Sequence, residues 1–355
     1  MNGLSTRATE LFGVRLPVVQ TGMGWVSGSA LTAATAAAGG LGILASATMT
    51  LSELSTAIDE VRAATQEPFG VNLLPNAPDA DARIAMIIDR SVQVASFAAA
   101  PKPEQVQRLR DAGVITIVTV GAKRHAEKMV GIGVSAVIAQ GGEGGGHTGT
   151  IPTTLLLPQV VDACAGTDVV VLGAGGFSDG RGLVSALSLG ADGIAMGTRF
   201  LLTKESTVPD NVKAIYLATP PTGTVVTSAI DGAPQRVIRT DMIDGLENAR
   251  FLPFVGAARN ALKFRKQTGT SLPDLIRTGL AMRRDQDLTW AQVALAANAP
   301  MLTKAAMVDG HPEVGILPTG QVVGAIDTIP TVADLLAEIE RDALSVLSML
   351  AAGDR

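Results

Sequence analysis

The sequence predicts a (β/α)8 TIM barrel with a helical insert after the eighth strand, on three observations. Eight short apolar runs each end in small residues and are followed by an amphipathic stretch. They occupy 18–23, 41–46, 69–74, 92–98, 115–120, 136–141, 169–176 and 193–198, starting about 21 to 33 residues apart, which is room for a strand–helix–strand unit. Runs such as 169–172 are apolar at every position, as strands buried on both faces of a parallel sheet must be. A doubly wound open sheet is the alternative. Eight units favour closure, and a closed barrel carries its active site at the C-terminal ends of the strands.

The pattern stops after the eighth run. Residues 202–312 read as helices and loops, with turn signals at Pro220-Pro221 and Asp231-Gly232, an amphipathic stretch at 257–266 and an apolar one at 288–299. The chain returns through 315–326 to a long helix, 332–350, suited to serve as the eighth barrel helix. The expected organisation is a barrel of 1–201 with 313–355, and an inserted helical subdomain, 202–312, lying over the mouth as a lid. Such lids exclude water and select substrates. Between Arg236 and Arg284 stand ten Lys or Arg against four Asp or Glu, a local excess of +6 in a chain of net charge −5. A solvated helical face explains this, as does a surface for a phosphorylated substrate handle. For the second, Arg259, Lys263, Arg265, Lys266, Arg283 and Arg284 are the candidates.

Composition excludes several classes. With 355 residues, 47% hydrophobic and 17% charged, the chain has ample material for a core, so disorder is excluded. The net charge argues against a nucleic-acid binder. Cys164 is the single cysteine, which excludes an internal disulfide or a cysteine-built metal site. His125, His147 and His311 are too widely spaced for a histidine zinc site, so no metal is expected. The beginning lacks the basic start and apolar core of a signal peptide, and the apolar run 31–47 is crowded with Gly, Ala and Thr and short for a span. The expectation is a cytoplasmic protein without a membrane partner.

Four glycine-bearing strand ends are the candidates for the chemistry. The first strand ends in Gln20-Thr21-Gly22-Met23-Gly24-Trp25, where backbone amides could approach a flat ligand; a plain tight turn reads the same way. The seventh ends in Gly173-Ala174-Gly175-Gly176 and the eighth in Met196-Gly197-Thr198-Arg199. Loops at those two places commonly bind phosphate, so Gly175, Gly176, Gly197 and Thr198 are expected to hold a phosphorylated cofactor. The sixth ends in Gln140-Gly141-Gly142-Glu143-Gly144-Gly145-Gly146-His147-Thr148-Gly149, with six glycines in nine positions from Gly141. That density excludes a core element and places His147 as an acid or base on a catalytic loop. His125 reads as a surface residue and His311, before Pro312, as a turn residue. No Ser or Cys nucleophile stands in a triad context.

Taken in order, Gly22-Met23, Ala38-Gly39-Gly40-Leu41-Gly42, Phe69-Gly70-Val71-Asn72, the 143–149 loop, Ala174-Gly175-Gly176 and Met196-Gly197-Thr198-Arg199-Phe200 resemble the nitronate monooxygenase (2-nitropropane dioxygenase) family and its relatives, the FMN-dependent enoyl-acyl-carrier-protein reductases. The resemblance spans most of the chain. It implies FMN in the barrel mouth, with Gly22, Met23 and Gly24 along the ring and Asn72 and Gln140 at the ring or ribityl chain. It further implies Ala174, Gly175, Gly176, Gly197 and Thr198 at the phosphate, Gln321 returning near the flavin, and His147 as the base. Nitronate oxidisers usually carry proline around the first strand, where this chain has Gly22-Met23-Gly24-Trp25-Val26, which looks more like the enoyl reductases. The stretch 18–48 followed by Met49-Thr50 is similar to members from actinobacterial steroid C/D-ring breakdown, which act on a hydroxylated indene-carboxyl-CoA thioester with NADH. The implied activity is hydride transfer between NADH, flavin and a CoA thioester, with Gly145 and Gly146 beside the substrate. Nitronate oxidation, enoyl reduction on a carrier protein, and a non-catalytic flavin-binding regulator remain the alternatives. A homodimer is a further expectation.

Overall fold

A computed structural model describes residues 4–248 and 290–353. Eight parallel strands close into a barrel: β1 (Val18–Gln20), β2 (Leu41–Ala45), β3 (Phe69–Leu73), β4 (Val94–Phe97), β5 (Ile115–Val120), β6 (Ala136–Gln140), then, past a two-residue β7 (Gly146–His147), β8 (Val170–Ala174) and β9 (Gly193–Met196). Closure is made by β1 on β9, with Val18 opposite Ile194 and Gln20 opposite Met196. All eight expected strands are present, and the expected TIM barrel is the observed fold.

Helices alternate with the strands: α1 (Arg7–Phe12) precedes β1, then α2 (Ser29–Ala37), α3 (Leu51–Ala64), α4 (Ala80–Asp89), α5 (Pro103–Asp111), α6 (Lys123–Gly131), α7 (Thr153–Cys164), α8 (Gly180–Ser188) and the short α9 (Thr198–Leu201). Local chemistry starts several of them. Thr50 and Glu53 form a reciprocal capping box on α3, and the Asp179 carboxylate accepts the Gly182 amide at 2.9 Å to begin α8. After α9 come α10 (Asp210–Ala218), strands β10 (Thr224–Thr227) and β11 (Gln235–Ile238), α11 (Asp241–Asn248) and α12 (Trp290–Met307). The chain then returns as α13 (Val332–Ala352), which packs between α8 and α2 and completes the helical ring.

The reading of 202–312 as helices and loops is corrected by a three-stranded antiparallel sheet in the order β10–β11–β7. Thr-Val-Val-Thr and Gln-Arg-Val-Ile are too short for alternation to separate them from loop. The third strand, Gly146–His147, is recruited from the glycine loop by pairing rather than by propensity. Beside the sheet lies a separate small core of Ile230, Val237, Ile243 and Ile316, apart from the barrel's.

Periodicity also missed α1, whose Ala8 and Phe12 close the N-terminal end of the barrel. They pack with the inward residues Val19, Ile43, Val94, Ile117 and Ile138. Phe12 is 3% exposed, so Phe12→Ala is expected to cost about 3–5 kcal/mol, read as a lowered urea midpoint. Among the described residues no helix is long and apolar enough to cross a membrane, and no cluster of His, Cys, Asp or Glu could hold a metal ion.

Candidate active site

Strand alternation sets the floor of the mouth. Since Val94, Ile117, Ile138 and Leu172 face the interior, Ser96, Thr119, Gln140 and Ala174, two residues further on, face it one layer higher. The same parity brings Asn72 to the top of β3. The interior therefore changes from apolar near α1 to small and polar at the C-terminal end. Asn72 Nδ2 donates to Ser96 Oγ at 3.4 Å, and Ser46 Oγ donates to the Asn72 carbonyl oxygen.

The β1 loop is tied to this layer. Buried Gln20 donates from Nε2 to the Thr21 carbonyl, to Ser27 Oγ at 2.9 Å and to Ile43 O at 3.2 Å. Ser27 Oγ in turn accepts the Met23 amide at 2.9 Å. Gly22 lies so close to Asn72 that a Cβ there would stand 2.5 Å from the asparagine Cβ, and Met23 Sδ stands 3.3 Å from the corresponding point at Gly197. Gly22, Met23, Asn72 and Gly197 thus form one neighbourhood, with Gly24 beside Thr48. Trp25 carries a left-handed backbone, φ 65°, and its indole Nε1 donates to Pro300 O at 3.0 Å, linking the mouth loop to α12.

The glycine loop after β6 is held from several sides. Glu143 accepts both the Thr153 amide, at 2.9 Å, and the Thr153 hydroxyl, at 2.7 Å, so its carboxylate caps the start of α7. Gln321 N donates to Glu143 O at 2.9 Å, and Gly320 N donates to Thr198 Oγ1 at 2.9 Å. Gly175 and Gly176, at φ +95° and +87°, turn in a conformation that L side chains rarely adopt. A Cβ on Gly175 would stand 3.1 Å from Gly144 N, so the loops after β6, β8 and β9 and the returning segment at 319–321 converge. A cradle of bare backbone with the Thr198 hydroxyl at its rim suits a phosphate group. Arg236 on β11 donates to Gly142 O at 2.8 Å and fastens the loop's outer edge; burial lowers its pKa from the ordinary guanidinium value, and Glu143 opposes that shift.

His147 lies on β7 with its side chain 65% exposed. Its Nε2 stands 2.8 Å from Asp231 Oδ2 and 3.1 Å from Gln235 Nε2, and its carbonyl oxygen accepts Gln140 Nε2 at 2.8 Å. Burial raises the Asp231 carboxyl, but hydrogen bonds from His147, the Ala233 amide and Gln235, with the charge of His147, outweigh it and hold the group below the usual carboxylate range.

The structure therefore brings Gly22, Met23, Gly24, Asn72, Gly175, Gly176, Gly197, Thr198 and Gln321 to one end of the barrel, with Gly145, Gly146 and His147 on the adjoining loop. The Gln140 amide nitrogen donates to the His147 carbonyl, so Gln140 supports the loop from the barrel mouth. The Gly144 amide donates to Gly141 O at 3.0 Å. His125 is exposed on α6, and His311 is exposed beside Glu313. Arg259, Lys263, Arg265, Lys266, Arg283 and Arg284 lie outside the described residues. Asp231, Gln235, Glu143 in its capping role, Arg236, Ser96 and Thr119 were not singled out from the sequence. Parity along β4 and β5 could have found the last two, whereas Asp231 read only as half of a turn signal.

The sequence profile of the nitronate monooxygenase family matches residues 5–83 and 77–342. The chain is 54% identical over 350 residues to the (3aS,4S,5R,7aS)-5-hydroxy-7a-methyl-1-oxo-octahydro-1H-indene-4-carboxyl-CoA dehydrogenase of Mycobacterium tuberculosis, covering 98% of this chain and 99% of that one. The enzyme of the same name from Rhodococcus jostii is likewise 54% identical, over 99% of both chains. Among solved structures, FabK from Thermotoga maritima superposes with a TM-score of 0.78 at 30% identity, over 98% of this chain and 99% of FabK. With a matching profile over most of its length and full-length dehydrogenase relatives, the chain is an oxidoreductase and belongs to the nitronate monooxygenase family.

Proposed function

We propose that this oxidoreductase works with FMN and NADH on a coenzyme A thioester of a hydroxylated indene carboxylic acid, the chemistry of steroid C/D-ring breakdown, with His147 as acid and base. The observation that carries the reading is the 54% identity, running over nearly the full length of both chains, to a dehydrogenase named for that thioester. FMN, when bound, supplies the two-electron hydride carrier. The residues present suit it: Ala174, Gly175, Gly176, Gly197 and Thr198 for the phosphate, and Gly22, Met23, Gly24 and Asn72 for the ring, with Gln321 approaching from the returning segment. In the ketone-reducing direction the substrate carbon gains the hydride that NADH supplies and His147 gives the oxygen its proton; in the alcohol-oxidising direction His147 takes the hydroxyl proton and the hydride ends on NAD+. Residues 202–312 serve in this proposal as the lid. Its basic residues Arg259, Lys263, Arg265, Lys266, Arg283 and Arg284 pair with the phosphates of coenzyme A.

Anaerobic stopped-flow absorbance of the purified protein mixed with NADH tests the reading. Rapid bleaching of the flavin band, reversed by the oxidised partner of the indene-carboxyl-CoA couple, is the expected result. A flavin that stays oxidised with NADH, together with O2 consumption on propionate 3-nitronate, would replace the proposal with nitronate oxidation. Turnover confined to a carrier-protein thioester would replace it with enoyl reduction.

A further inference from the structure

We propose that Asp231 and Gln235 fix the tautomer of His147, so that Nε2 keeps its proton throughout and Nδ1 is the atom that exchanges protons with the substrate. The inference rests on the acid/base role proposed above and names the atom that performs it.

Three polar atoms meet at this point. His147 Nε2 is 2.8 Å from Asp231 Oδ2 and 3.1 Å from Gln235 Nε2, and Gln235 Nε2 also donates to the same Oδ2. The other carboxylate oxygen, Oδ1, accepts the Ala233 amide at 3.1 Å. One arrangement of hydrogens makes hydrogen bonds of three of the four contacts: the ring Nε2–H, the Gln235 Nε2–H and the Ala233 N–H all point at Asp231, and the two nitrogens of His147 and Gln235 are then neighbouring donors that share Oδ2 as acceptor. Were Nε2 unprotonated, its lone pair would face a carboxylate oxygen at 2.8 Å. Were the Gln235 amide turned over, its oxygen would face that carboxylate instead.

The same reasoning holds when the ring is charged. Imidazolium still donates from Nε2 to Asp231, so the proton that comes and goes is the one on Nδ1. Asp231 does not compete for it, because both of its oxygens already accept hydrogen bonds and it stays ionised.

The backbone explains why the arrangement is stiff. Gln235 sits directly opposite His147 in the β11–β7 register, which puts the two side chains on one face of the small sheet. Asp231 belongs to the connection between β10 and β11, and its bond to Ala233 N makes it an Asx turn that presents Oδ2 toward the strand. Gln140 holds the His147 carbonyl from the barrel side. The ring is anchored by one edge and open over much of the rest, which suits a group that must meet a substrate. Asp231 and Gln235 are thus positioning residues, acting through His147.

Nitrogen-15 NMR of histidine-labelled protein reads the tautomer directly, and the chain has only three histidines, with exposed His125 and His311 as internal references. In the neutral ring, His147 is expected to show a protonated Nε2 and a bare Nδ1. Asp231→Asn is expected to give a mixture of tautomers and to lower kcat by roughly 10²-fold with KM within about threefold, since orientation and tautomer are lost while binding is kept. Circular dichroism and retained flavin absorbance confirm that the variant folds; the wild-type spectrum tests the proposal even if it does not. A majority Nδ1–H tautomer in the wild type overturns the inference. So does a folded Asp231→Asn protein with an unchanged tautomer. Full activity of His147→Ala would instead remove the acid/base reading on which the second half of the proposal stands.

Discussion

Replacing His147 by alanine is expected to lower turnover of the indene-carboxyl-CoA substrate by about 10³-fold, in the middle of the range for a positioned acid/base group, with flavin content unchanged. The side chain is largely exposed, so its removal leaves little void and little lost burial. Asp231 keeps its contacts with Ala233 N and Gln235 Nε2, so no buried charge is stranded. The expected signature is therefore a fall in kcat without a fall in thermal stability. Steady-state kinetics with the visible flavin absorbance as a loading control will show it. A variant within about threefold of wild type in kcat would contradict a proton-transfer role and return attention to a regulator that binds flavin without catalysis.

The second large effect is expected at Gly145. A Cβ there would fall 2.4 Å from the Thr319 carbonyl carbon and 2.6 Å from Gly320 N. These are backbone atoms, which cannot rotate aside as a side chain can. The segment they belong to is pinned by Gly320 N on Thr198 Oγ1 and by Gln321 N on Glu143 O. Gly145→Ala must push that segment away from the glycine loop, at a cost of about 1–3 kcal/mol, and the convergence on the cofactor cradle is lost with it. The expected result is a protein purified largely without flavin, with at least tenfold weaker FMN binding measured by quenching of flavin fluorescence. Gly146→Ala is the control: its backbone is left-handed, φ +65°, but a Cβ there meets open space. That change carries only the conformational penalty of about 1–2 kcal/mol and should retain flavin. Equal loss in both variants would mean that loop strain, and not the close approach to Thr319, governs binding.

Sequence legibility varied with how local each feature was. The eight barrel strands could be read because each is a self-contained apolar run with a helix behind it. The Gly175-Gly176 turn could be read because glycine density is itself a local signal. His147 could be singled out because it and Glu143 are the titratable side chains of a loop that is otherwise nearly all glycine. Helix α1 is six residues long, with Ala8 and Phe12 as its inward face, too short a pattern to separate from a leading loop. Strands β10 and β11 are four residues each, and β7 owes its existence to the strand beside it.

Periodicity and glycine spacing alone thus determined a barrel and pointed to its glycine-lined end and to His147, because each is written in residues that are near neighbours along the chain. Tertiary structure decided what the histidine is attached to. Asp231 lies 84 positions from His147, and no spacing rule connects a turn aspartate to a loop histidine across that interval. Their meeting depends on β11 choosing β7 as its partner. That pairing is made by backbone hydrogen bonds, which every residue but proline can offer, so it leaves little mark on the sequence.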